Sequence, residues 1–124
     1  MADWPPVIDA DGHVMERQSD IRKYLEPPWN RRNTGLWPSD QPFDTDLFDT
    51  LGYSGYDRGM SPAQQVEMWL KIMDEYNIEE AVLFPTGSGN IPKLREPEFC
   101  VAACRAANDH FAKEYNALSD RIHC

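Results

Sequence analysis

The sequence predicts an α/β domain with a parallel sheet, on three observations. An apolar strand at Val7-Ile8 leads the chain; Ala81-Val82-Leu83-Phe84 is a short apolar run without alternation; and two long helical patterns separate these from a strand start at Arg121-Ile122-His123. An unalternating run of this kind suits a strand buried on both faces, as parallel sheets require. Strands alternating with helices are the pattern of βα units.

The first strand runs into Asp9-Ala10-Asp11-Gly12-His13-Val14-Met15-Glu16. Asp9, Asp11 and His13 occupy alternate positions, so an extended chain sends all three to one face. Carboxylate and imidazole are natural ligands of a divalent cation, which would offset the cost of gathering them. The competing reading is a turn around Gly12 capped by Asp9 or Asp11, with His13 an ordinary surface residue. The residues alone leave both open.

Next in order, Ser19-Asp20 predict the N-cap of a short helix from Ile21 to Leu25, ended by Pro27-Pro28. Residues 27–60 are rich in Pro, Gly and Asp and have no sustained period, which predicts a long loop near a site. Trp29, Trp37, Phe43, Phe48, Tyr53 and Tyr56 give it an aromatic content foreign to disorder. Packing onto the body explains most of them, with one or two left to line a pocket. Ser61-Pro62-Ala63-Gln64 predicts a capped helix start. That helix runs to about Tyr76, burying Val66, Trp69, Leu70 and Met73, and stops at Asn77.

Pro85-Thr86-Gly87-Ser88-Gly89-Asn90 follows the second strand. It has neither the Gly-Lys-Ser/Thr ending of a P-loop nor the third glycine of a dinucleotide fingerprint, so it reads as a plain strand-to-helix loop. Its place at the carboxyl end of a strand still makes Thr86 and Gly87 candidates to meet a substrate. The second long helix spans about Glu96 to Asn116, with Phe99, Ala102, Ala103, Ala106, His110 and Phe111 on one side. His110 is expected at the boundary with its polar edge in water, His123 likewise, and neither is read as a ligand.

Composition narrows the partners. Twelve basic against 21 acidic side chains give a net charge of −9, which argues against nucleic acid and anionic membranes. No apolar run reaches transmembrane length and no signal-peptide layout opens the chain. The three cysteines, with Cys100 and Cys104 one helical turn apart, read as reduced thiols of a cytoplasmic protein.

Three passages resemble the amidohydrolase-related family, in the branch of aminocarboxymuconate-semialdehyde and aromatic-acid decarboxylases. They are Ile8 to Glu16, similar to a first strand ending in His-x-His, Glu-x-His or Asp-x-His; Tyr24-Leu25-Glu26-Pro27-Pro28-Trp29; and the Ser61–Tyr76 helix feeding Ala81 to Thr86. Ser119-Asp120-Arg121-Ile122 is similar to the approach to the third strand. The resemblance implies the N-terminal part of a (β/α)8 TIM barrel, about three strands and two long helices, apparently truncated.

It also implies a divalent metal at the carboxyl ends of the strands. Zinc is favoured by the imidazole, and manganese or magnesium is accommodated too. Asp11 and His13 would be the first-strand ligands, with Asp9 and Glu16 supporting them rather than binding directly. The remaining ligands and the general base are expected beyond Cys124, so no catalytic residue is assigned within the chain. The implied activity is hydrolysis of an amide or ester-like bond, or non-oxidative decarboxylation, of a small carboxylic acid or related molecule. The chain alone is expected to be inactive, and a homo-oligomer fits the full-length form. Two other readings stay open: a non-catalytic α/β module binding a small anion at Gly87–Gly89, and an inactive truncated product.

Overall fold

A computed structural model describes residues 4–37 and 60–124. Strand β1 (Val7–Val14) leads to a four-residue helix α1 (Gln18–Ile21), followed by 3-10 turns at Arg22–Tyr24 and Trp29–Arg31. Then come helix α2 (Pro62–Tyr76), strand β2 (Ile78–Pro85), a 3-10 segment Ser88–Lys93, helix α3 (Pro97–Glu114), a 3-10 turn Asn116–Leu118 and strand β3 (Ile122–His123). The sheet order is β1-β2-β3 and both pairings are parallel. The α/β class and the parallel sheet expected from the strand–helix alternation are therefore present.

Local signals place α2. The Ser61 hydroxyl accepts from the Gln64 amide, the Gln64 side chain accepts from the Ser61 amide at 2.9 Å, and Pro62 opens the helix. Asn77 ends it in the left-handed region at φ 55°, a conformation asparagine tolerates. Val66 and Met73 are buried as the stripe requires, and Trp69 and Leu70 are partly buried against the same core.

The start of α1 departs from the expected one. The residue before it is Arg17, with no side-chain cap, and Asp20 lies inside the first turn. Two cations draw Asp20 inward. Its buried carboxylate accepts from Arg17 Nε at 2.7 Å and from Lys23 Nζ at 2.8 Å, a stronger use of the side chain than a cap on one amide.

Strand β2 also corrects an expectation. Ala81 and Leu83 are buried, but Val82 is intermediate and Phe84 is 45% exposed. The helices α2 and α3 cover one face of the sheet, and among the described residues the other face is open. The buried face joins Val14, Ala81, Leu83 and Ile122 to Val66 and Met73 of α2 and to Phe99 and the alanines of α3. Ala102, Ala103, Ala106 and Ala107 let α3 approach closely, and Phe111 completes the face. Arg121 fixes the start of β3. Its guanidinium reaches Asp74 at 2.8 Å and the carbonyls of Ile78 and Glu79 at 2.8 and 3.0 Å.

Of the expected aromatic loop, Trp29 packs beside Phe99 with ring centroids 5.7 Å apart, and Trp37 is buried. Phe43, Phe48, Tyr53 and Tyr56 lie outside the described residues. No helix among the described residues is long and apolar enough to cross a membrane.

Candidate metal centre

The register of β1 on β2 decides which side chains share a face. Asp9 pairs with Ala81 and Gly12 with Leu83, so β1 takes three steps where β2 takes two. The extra residue is a β-bulge at Ala10-Asp11. It breaks the strict alternation expected for Asp9, Asp11 and His13. Asp9 stands in register with buried Ala81, whereas beyond the bulge Asp11 and His13 are exposed and Gly12 and Val14 are buried. Asp11 and His13 thus share the open face, and Asp9 is out of phase with them. Its Oδ1 instead accepts the Asp11 amide at 2.9 Å, bracing the bulge.

Gly12 is required by close approach. A Cβ there would lie 2.5 Å from Leu83 Cδ2 and 2.7 Å from the Trp69 ring. Trp69 crosses beneath the strand and donates Nε1–H to the His13 carbonyl at 3.3 Å. On the open face the His13 ring lies 6.2 Å from that of Phe84, its register partner.

Glu16 has a different place from its neighbours. It is 1% exposed, and its carboxylate accepts the Thr86 amide at 3.0 Å and the Ser88 amide. Thr86 returns a bond from its hydroxyl to the Val14 carbonyl at 2.7 Å. Gln65 of α2 closes the same corner, accepting from the Met15 amide at 2.8 Å and donating to the Met15 carbonyl at 3.0 Å. Glu16 and Thr86 therefore lash the carboxyl ends of β1 and β2 together. Gly87 directs its carbonyl to the Asn90 amide at 3.0 Å, starting the 3-10 segment. Two amides that an external anion would need are held by the chain's own carboxylate.

Behind the sheet lies a second polar group that sequence reasoning missed. His110 is fully buried, correcting the expectation of a wet polar edge, because Glu114 one turn on meets its Nδ1 and the rings of Tyr24, Phe111 and Tyr115 enclose it. Its Nε2, the Tyr115 hydroxyl and Ser88 Oγ are buried without partners among the described residues. Burial, with the Glu16 charge next, pushes the Cys124 thiol up to about 12 and raises the Tyr115 hydroxyl as well. His123 is about half exposed, with Nε2 2.8 Å from Glu80 Oε2.

No family model matches the chain, and no curated protein matches it.

As metal donors, Asp11 and His13 have suitable chemistry and a shared, accessible face. Asp9 is occupied at the bulge and Glu16 at the strand ends. Among the described residues no group of three or more His, Cys, Asp and Glu side chains gathers to hold a cation. The donor set amounts to two, against about three for a catalytic zinc.

Proposed function

We propose that Asp11 and His13 form half of a divalent-cation site, zinc by preference, in a metal-dependent hydrolase or non-oxidative decarboxylase. The observation carrying this reading is their shared exposure at the carboxyl end of a parallel strand, the end where α/β barrels and open sheets place their sites. The resemblance to amidohydrolase-related proteins adds the barrel, with its remaining ligands and base from later strands, and a small carboxylic acid or amide/ester-like substrate in the cytoplasm. Nucleic acid and membrane are not partners in this reading.

A bound cation would polarise a substrate oxygen and make water a better nucleophile at neutral pH. The chain's own residues do the positioning. Asp9 braces the Asp11 backbone, Trp69 holds the His13 carbonyl, and Glu16 with Thr86 keeps the strand ends in fixed relation. Phe84 supplies an apolar wall beside His13.

The small-anion alternative loses ground because Glu16 already occupies the Thr86 and Ser88 amides. Metal content after equilibration with zinc or manganese tests the proposal. Asp11→Ala and His13→Ala should each lose bound metal, and unchanged content in both would refute it.

A further inference from the structure

Helix α3 carries two thiols one turn apart, on elements that the cation reading of Asp11 and His13 does not use. The sheet side of the helix buries Phe99, Ala102 and Ala106, while Val101 and Arg105 are exposed on its outer side. Cys100 and Cys104 lie on the flank between the two, each half-buried and neither in a disulfide.

The thiols are aimed at one another. Cys104 donates to the Cys100 sulfur, and Cys100 donates in turn to the Ile91 carbonyl at 3.5 Å. A short chain of bonds thus runs from α3 into the Ser88–Lys93 segment. Burial, with the neighbouring Cys100 thiol adding to it, raises the Cys104 thiol above its ordinary 9.0. Cys104 is therefore protonated at neutral pH and a slow nucleophile.

Spacing decides what the pair can do. Cβ atoms four residues apart on a helix lie about 5–6 Å from each other, whereas a disulfide needs about 3.5–4.5 Å. Closing an internal disulfide would require the helical turn to open. One ion shared between the sulfurs requires no such change, since two metal–sulfur bonds of about 2.3 Å, the zinc–thiolate length, span about 4.6 Å. Thiolates select soft cations, among them monovalent copper, zinc and the iron of iron–sulfur clusters. Structural zinc and iron–sulfur clusters take four protein ligands. Among the described residues no group of three or more such donors gathers. Monovalent copper is satisfied by two opposed sulfurs, and two are what the helix presents.

We propose that Cys100 and Cys104 form a two-coordinate site for monovalent copper on the flank of α3. Binding exchanges both S–H protons for one Cu+, leaving a bis-thiolate complex with a single net negative charge. The protons go to solvent and copper keeps its oxidation state, so no oxidant or reductant takes part. Cys100 gives up its bond to the Ile91 carbonyl as its proton leaves.

The test titrates the intact, reduced chain under anaerobic conditions with Cu+ held by the colorimetric chelator bicinchoninate. One equivalent should pass from the chelator to the parent chain and equally to Cys124→Ser. Cys100→Ser and Cys104→Ser should each weaken that transfer by more than the roughly 10–100-fold that loss of a supporting group costs a metal site. The parent chain alone supplies a second readout that does not depend on a variant's folding. Copper should shift the amide signals of Ile91 and of Cys100 to Cys104 in the 15N spectrum and leave those of Asp11 to His13 in place. No transfer to the parent chain, undiminished transfer to both α3 variants, or a requirement for Cys124 would overturn the proposal. So would shifts centred on Asp11 and His13, or one copper for every two chains.

Discussion

The carboxylate of Glu16, beyond the end of β1, accepts the backbone amide of Thr86, beyond the end of β2, at 3.0 Å. Its other oxygen takes the Ser88 amide, and the group is almost fully removed from water. Glu16→Gln keeps the shape but turns one acceptor into an NH2 that faces an N–H. Urea unfolding should show a loss of about 1–3 kcal/mol, the cost of an unsatisfied buried donor. Asp11→Asn, exposed on the open face, should change stability by less than about 0.5 kcal/mol.

Gly12 has no room for a side chain. Leu83 is buried and the Trp69 ring is tied to the His13 carbonyl, so neither neighbour yields freely. Gly12→Ala should destabilise the fold by about 1–3 kcal/mol through overpacking. A tryptophan fluorescence change at low denaturant should accompany it, because Trp69 must move.

Helix α2 was legible in the sequence because its signals are local: Ser61, Pro62 and Gln64 act within one turn, and Asn77 ends the helix by its own backbone. The alternate spacing of Asp11 and His13 also placed them on one face, which they share. The bulge was not legible, since an extra residue in β1 is defined only against β2, and it moved Asp9 out of phase. Glu16 is separated from Thr86 by 70 positions, so nothing near either residue announces their bond. His110 misled for a similar reason. Its polarity suggested water, while Glu114 and three aromatic rings make burial tolerable. The unalternating run of β2 suggested two covered faces, and Phe84 is exposed on the face that holds the candidate site.

Asp20 makes stability depend on acid. Burial pushes its carboxyl up, but hydrogen bonds and charge from Lys23 and Arg17 more than reverse this, leaving it below its ordinary 3.8. A carboxylate held low in the folded state contributes stability that is complete above the unfolded value and is lost as pH falls through the folded one. Asp20→Asn should therefore cost about 1–3 kcal/mol at pH 7. The gap from the parent chain should narrow in unfolding curves taken from pH 5 downward.

The Cys124 thiol, pushed up to about 12 by burial and by Glu16, is almost wholly protonated at pH 8. Iodoacetamide should alkylate it far more slowly in the native chain than in urea. Mass spectrometry of the C-terminal peptide reads both rates.

The central claim is that a cation settles on Asp11 and His13. Sub-stoichiometric Mn2+ added to the 15N-labelled chain tests it most directly, through paramagnetic loss of amide signals. Signals from Asp11 to His13 and from Phe84 should disappear first, and His13→Ala should protect them. Preferential loss around Gly87–Asn90, or loss spread evenly over the acidic surface and unchanged by His13→Ala, would contradict it.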